Sequence, residues 1–205
     1  MSFKKNKYTV LRKVISKDLA NFVANYFSMK KQVRETCLST KFISPYETLL
    51  GDKGDPQAPN SYSHYADIVM ETLLLKCLPK MEKITGLKLY PSYSYARLYQ
   101  KGAILERHKD RFSCEVSTTL NLGGDNWPIY IEPSGELDKK GIKVNLKPGD
   151  MLIYSGCELE HWRNEFKGNE CVQVFLHYNN RKTPGAKDNM FDKRPHLGLP
   201  TWFKR

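Results

Sequence analysis

His108-Lys109-Asp110 sets an imidazole and a carboxylate two positions apart, and in extended backbone such residues point to the same side. Two ligands can then grip one ion from the end of one strand. A third donor, His161, follows at the end of a separate predicted strand. Two neutral nitrogens and one carboxylate make a facial triad that suits non-haem Fe(II), because three coordination positions on one face stay open. A 2-oxo acid can chelate two of them and dioxygen can take the third, so the chemistry on offer is oxidative decarboxylation. A lone His-x-Asp is a weak signal, since a surface histidine beside a charge gives the same letters; its surroundings decide the reading.

The elements that must position these residues show as a change of period. Tyr8 to Ile15 alternates weakly and carries β-branched residues, which predicts a first strand. Ser16 caps a helix with Asp18 in its first turn and Leu19, Phe22, Val23, Tyr26 and Phe27 on one face. Glu35 to Asn60, with Gly51-Asp52-Lys53-Gly54-Asp55-Pro56 inside it, has the composition of a loop and reads as a flap. A second helix is predicted from about Ser63 to Thr85, with Gly86 closing it and Pro79 kinking or breaking it. From there short strands follow at turn-punctuated intervals: Leu87–Leu98, Glu115–Leu122, Ile129–Glu132, Ile142–Leu146, Met151–Tyr154 and Val172–Tyr178. Such spacing argues for a sandwich or barrel with the two helices outside it. Lys147-Pro148-Gly149-Asp150 carries Pro and Gly where a type II turn wants them, and delivers the strand that ends before His161. The basic stretch Arg181 to Arg205 keeps Phe191, Leu197, Leu199, Trp202 and Phe203, which predicts packing on the core.

A chain of 205 residues with 40% hydrophobic content fits one domain, 1–205, made of an N-terminal region (1–86), a β core (87–180) and a C-terminal extension (181–205). No apolar run nears the roughly 20 residues a membrane span needs, since Leu73-Leu74-Leu75 is stopped by Lys76. The basic N-terminus is not followed by an apolar segment with a small-residue cleavage site, so no secretion signal is read. Five cysteines without a C-x-x-C pair point to a reducing, cytoplasmic setting and away from a disulfide scaffold or zinc ribbon. The net charge of +11 is scattered among acidic residues, which predicts a solvated basic surface in place of a nucleic-acid footprint. The same field would favour acidic peptides.

Several segments around the triad occur in an order that resembles the prolyl 4-hydroxylase-like branch of the Fe(II)/2-oxoglutarate dioxygenases, of bacterial and phage type. They are Tyr95-Ala96-Arg97-Leu98-Tyr99-Gln100-Lys101-Gly102, His108-Lys109-Asp110-Arg111, Glu115 to Leu122, Lys147 to Tyr154, and His161-Trp162-Arg163 leading to Val172 to Tyr178. The matching part runs from residue 90 to 180, and the segment Phe191 to Pro200 resembles the trailer of such relatives. The resemblance implies a mainly β, double-stranded β-helix core (a cupin-like jelly roll) with helices on one sheet. It implies His108, Asp110 and His161 as catalytic iron ligands, with 2-oxoglutarate and O2 as co-substrates and ascorbate as a supporting reductant. Tyr99 matches the tyrosine that contacts bound 2-oxoglutarate, and Thr119 the position that offers it a hydroxyl; each also reads as an ordinary strand residue.

One departure matters. Relatives bind the distal carboxylate of 2-oxoglutarate with Lys or Arg in a G-x-K/R setting, where this chain has Gly168-Asn169-Glu170-Cys171. A buried carboxylate needs a cationic partner. Arg163, two residues beyond His161, is the first candidate, with Lys167, Arg97 and His177 in reserve. Arg111, Trp127 and Tyr130 are candidates for the substrate cleft, although aromatic residues in short strands usually just pack the sheet. If Thr119 points inward then so does Glu115, which would need a cation such as Arg111.

The resulting expectation is a hydroxylase of prolyl residues in a peptide or protein, releasing succinate and CO2. Three rivals stand beside it: a nucleic-acid demethylase with a basic groove and a stacking aromatic, a hydroxylase of a free amino acid or small metabolite with a closed pocket, and a non-catalytic jelly-roll binding module.

Overall fold

The computed structural model describes residues 3–136 and 139–204. Its helices are α1 (Phe3–Asn6), α2 (Lys17–Ser39) and α3 (Ile68–Thr85). The strands are β1 (Tyr8–Leu11), β2 (Asp52–Lys53), β3 (Ser61–Tyr65), β4 (Leu89–Gln100), β5 (Leu105–His108), β6 (Val116–Gly124), β7 (Ile129–Glu132), β8 (Ile142–Val144), β9 (Met151–Ser155), β10 (Glu160–Arg163) and β11 (Glu170–Asn180). They form two antiparallel sheets, β1-β9-β6-β11-β4-β3-β2 and β5-β10-β7-β8, which make up a jelly roll.

The period-2 rule divides the long strands over most of their length, with a bulge at Ser92 of β4 that also brings Leu89 into the helical cluster. Val116, Leu120 and Leu122 of β6, Val172, Val174 and Leu176 of β11, and Ala96 and Leu98 of β4 join Val23 and Phe27 of α2 and Leu74 and Met81 of α3 in one apolar cluster. Residues of the opposite parity, such as Tyr95, Arg97, Ser117, Thr119, Gln173 and His177, belong to the other face, between the two sheets. Most of these are polar, and all but half-buried Tyr95 are buried. A polar interior is costly unless its groups find partners, and this is where the candidate site lies.

Ser16 caps α2 as predicted, its Oγ accepting from Leu19 N at 3.1 Å. The helix runs past Glu35 to Ser39, because no Gly or Pro interrupts it, and buried Arg34 ties it forward to Gly51 O at 2.7 Å. Phe22, predicted on the packed face, is 69% exposed. Helix α3 starts at Ile68 and not near Ser63: Ala66 adopts a positive φ of 59° and Asp67 caps the next turn through Val69 N and Met70 N. The preceding Ser61–Tyr65 pairs with β4 as a strand. Pro79 lies within an unbroken α3; the carbonyl it deprives belongs to Leu75, which is half exposed and open to water. Gly86 closes the helix at φ 73°.

The turn at Lys147–Asp150 is as predicted, with Asp150 N donating to Lys147 O at 2.8 Å and Gly149 at φ 89°. Strand β1 ends at Leu11, two residues before Lys13 takes φ 53°. The C-terminal segment is anchored mainly by polar groups. Arg194 pairs with Glu71 at 2.7 Å with both side chains buried, and Asp192 gathers Arg111, Ser113, Tyr65 and Lys204. Leu197 packs against the helical core, whereas Trp202 and Phe203 are 58% and 47% exposed. Buried ion pairs and not an apolar stripe hold this segment. No helix among the described residues is long and apolar enough to cross a membrane.

Candidate active site

His108 and His161 are register partners across β5 and β10, with ring centroids 4.3 Å apart. Asp110 follows β5, and its backbone N–H donates to Gly156 O at 2.9 Å, fixing the turn that presents the carboxylate. Asp110 Oδ1 lies 3.7 Å from His108 Nε2 and 3.6 Å from His161 Nε2. Donor atoms of the three residues all fall within 4.8 Å of one another.

The other ring nitrogens settle the tautomers. His108 Nδ1 sits 2.7 Å from Glu106 O and His161 Nδ1 3.1 Å from Leu159 O. A carbonyl only accepts, so each Nδ1 carries the proton and each Nε2 offers its lone pair to the centre. Burial lowers the His161 pKa to about 4, outweighing the attraction of Asp110, so the ring is neutral at pH 7. This donor set fits a divalent first-row metal with open coordination positions.

Arg163 shares the inward face of β10 with His161 and is 1% exposed. Its Nη2 donates to Thr119 Oγ1 at 3.2 Å, its Nη1 donates to Trp127 O, and its Nε has no partner. The guanidinium lies 5.0 Å over the Trp127 ring. Among the described residues no carboxylate pairs with it, and burial pulls its pKa down. A buried cation without an anion is costly to keep, so this environment suits an anionic ligand. Tyr99 stands edge-on to the same Trp127 at 4.7 Å, so Tyr99, Thr119 and Arg163 gather round one indole.

Of the two residues expected to stand where a cation might be, Cys171 is buried opposite Tyr99, and burial raises its thiol pKa. Glu170 faces Ser28 of α2. Lys167 is exposed and paired with Glu165. His177 is buried but neutral at pH 7, burial lowering its pKa to about 4, and Arg97 is engaged by Asp55, so of the four candidates considered Arg163 alone is a buried cation free of a carboxylate among the described residues.

A cavity of about 270 Å³ opens beside the triad, walled by Tyr93, Tyr95, Tyr154 and Phe175 and bounded by the Asp55–Arg97 pair. Although burial opposes its charge, Asp55 is held below the usual carboxylate range by Arg97 and by a 2.8 Å bond from Tyr95 OH.

None of the three substrate-cleft candidates lines this cavity. Trp127 packs inside the sandwich, donating Nε1–H to Asn164 O at 2.7 Å. Tyr130 has the opposite strand parity to buried Ile129 and Ile131 and stacks at 5.6 Å on Trp162, outside the sandwich. Arg111 binds Asp192 on the C-terminal segment and does not serve Glu115, which is capped instead by Asn180 N and Thr183 Oγ1. Sequence reasoning missed Asp55, Gln57 and Tyr154 as cavity residues; the first two lie in a segment whose composition says only loop.

No family model matches the chain. No curated protein matches its sequence either. Solved structures do. A prolyl-4-hydroxylase from Pseudomonas putida aligns with 16% identity and a TM-score of 0.60 over 87% of this chain and 95% of its own. HygX from Streptomyces hygroscopicus, with nickel and 2-oxoglutarate bound, aligns with 12% identity and a TM-score of 0.60 over 99% and 91%. The non-haem α-ketoglutarate-dependent epimerase SnoN from nogalamycin biosynthesis aligns with 12% identity and a TM-score of 0.63 over 87% and 80%. At these identities the likeness establishes the fold, which this chain shares with 2-oxoglutarate-Fe(II) oxygenases.

Proposed function

We propose that the chain is an Fe(II)- and 2-oxoglutarate-dependent oxygenase that hydroxylates prolyl residues of a peptide or protein. The observation that carries the oxygenase reading is the pairing, on one strand face, of His161, whose donor atom lies within 4.8 Å of those of His108 and Asp110, with a buried guanidinium that has no carboxylate partner among the described residues. His108, Asp110 and His161 would hold the iron. Arg163, with Thr119 and Tyr99, would receive the distal carboxylate of 2-oxoglutarate; the cation that relatives take from the later strand would come here from β10. Iron bound there supplies oxidative decarboxylation of the keto acid, to succinate and CO2, coupled to oxygen insertion into a C–H bond.

The residues of the chain position and exclude. Nδ1–H bonds to Glu106 O and Leu159 O hold both imidazoles in the ligating tautomer. Tyr154, fully buried and 4.6 Å from the His161 ring, and Phe175 keep water from the inner wall. A chelated dicarboxylate would gain most from Arg163 because the guanidinium is buried, where a charge-assisted bond is strong.

Prolyl specificity is supported by the run of motifs from Tyr95 to Tyr178 and by the Pseudomonas neighbour. A compact cavity bounded by the charged pair Asp55–Arg97 favours a second reading, hydroxylation of a small polar metabolite. Among the described residues the one Lys or Arg lining the cavity, Arg97, is already paired, so the nucleic-acid reading gains no support there. Five unpaired thiols support a reducing, cytoplasmic setting.

The test is mass spectrometry of a peptide library and of a panel of amino acids after incubation with Fe(II), ascorbate and 2-oxoglutarate. Gain of one oxygen at proline in a peptide supports the main reading; gain on a free amino acid with no peptide product favours the second. Absence of succinate under all conditions removes the oxygenase assignment.

A further inference from the structure

Asp110 carries two oxygens, and only Oδ1 faces the two histidines. Its Oδ2 is taken by Ser117 Oγ at 2.7 Å, from a side chain with no exposed surface on the inward face of β6. Behind Ser117 stands His177 of β11, its Nδ1 at 2.9 Å from the same hydroxyl. His177 is buried, its ring lies 4.5 Å from that of Tyr93, and among the described residues it makes no other side-chain hydrogen bond. The contact is tight: a methyl group on Gly156 would come within 2.5 Å of Asp110 Oδ2 and 2.7 Å of Ser117 Oγ.

Resting on the proposed metal site, we infer that Ser117, oriented by His177, is a positioning residue that decides which oxygen of Asp110 a bound metal meets. The reason is a competition for one hydrogen. Ser117 has a single hydroxyl proton and three neighbours that can accept it: Asp110 Oδ2, Cys114 O at 2.8 Å, and His177 Nδ1 whenever that nitrogen is bare. With its proton on Nδ1, His177 donates to the hydroxyl oxygen. The hydroxyl proton then goes to the carboxylate, because a charged acceptor outbids a neutral carbonyl. Oδ2 is tied outward and Asp110 presents one oxygen to the ion.

Without this chain Oδ2 is released and the carboxylate can turn, offering both oxygens to the metal or neither in good alignment. A second oxygen on the ion would close a position that a chelating keto acid needs. Side chains that orient metal ligands typically change metal affinity by about 10–100-fold when removed.

The experiment is titration of the metal-free protein with Co(II), read by calorimetry and by the d–d absorption of the bound ion, for four variants. Ser117→Ala should weaken the Co(II) Kd by about 10–100-fold. His177→Phe keeps a ring against Tyr93 but cannot donate, and should also weaken it; His177→Asn, with an amide N–H near the place of Nδ1–H, should restore much of the loss. The double variant Ser117→Ala/His177→Phe should bind no worse than Ser117→Ala, since His177 acts only through the hydroxyl. Wild-type Kd and spectrum in both single variants, or losses that add in the double, would overturn the inference. If Ser117→Ala does not fold, the contrast between His177→Phe and His177→Asn decides alone. Failure of the unaltered protein to bind Co(II) would instead strike the metal site itself.

Discussion

Arg163 reaches Thr119 Oγ1 at 3.2 Å from a position two residues beyond His161, so one short strand brings a candidate metal ligand and a buried cation without a carboxylate among the described residues to the same interior. The cation is unpaired among the described residues and costs stability in that state. Arg163→Met should therefore raise the thermal midpoint of the free protein while raising the 2-oxoglutarate KM by at least about 30-fold, the low end for losing one partner of a buried charged contact. Metal affinity should not move. A variant with unchanged KM and an intact metal site would take Arg163 out of the cosubstrate role.

Burial depresses two interior histidines, His161 and His177, from 6.5 to about 4. In the unfolded chain each takes a proton near pH 6.5; in the folded, metal-free protein each resists until about pH 4. The stability they lend is thus present above pH 6.5 and is lost as pH falls through that interval, on the order of 3 kcal/mol for each histidine. Urea unfolding of the metal-free protein at pH 7, 5.5 and 4.5 should show falling midpoints; a flat profile would contradict it.

Glu71 and Arg194 form a pair with side chains 2% and 0% exposed, joining α3 to the C-terminal segment. Removing one member leaves the other charge stranded, so Arg194→Ala should destabilise by about 3–5 kcal/mol. Replacing Trp202, which is 58% exposed, by Ala should change stability by less than about 0.5 kcal/mol. Denaturant curves of the two variants make the comparison.

Gly156 has no room for a side chain: a Cβ would lie 2.3 Å from Cys114 O and 2.5 Å from Asp110 Oδ2. The nearest of these is backbone, so the chain itself must shift at Gly156, and Asp110, whose N–H donates to Gly156 O, moves with it. Gly156→Ala should lower the thermal midpoint and weaken Co(II) binding by at least about 10-fold.

Much of this was written in local patterns. Ser16, Gly86 and the Lys147–Asp150 turn act through neighbours a few positions away, and the alternation in β4, β6 and β11 states which residues meet the helices. His108, Asp110 and His161 were nameable as a candidate triad from residue type, strand parity and the motifs around them, and the fold brings their donor atoms within 4.8 Å of one another. What the letters could not decide was pairing across distance. Arg163 is inward because β10 faces Thr119 on the opposite sheet, 44 residues away in sequence. Arg111 serves Asp192, Ser117 holds Asp110 Oδ2 and Asp55 reaches Arg97, each through a contact that exists only after the chain closes. Periodicity and turn chemistry are set by bonds within a few residues, whereas the partner of a buried charge is chosen by whichever distant segment the fold brings within about 3 Å.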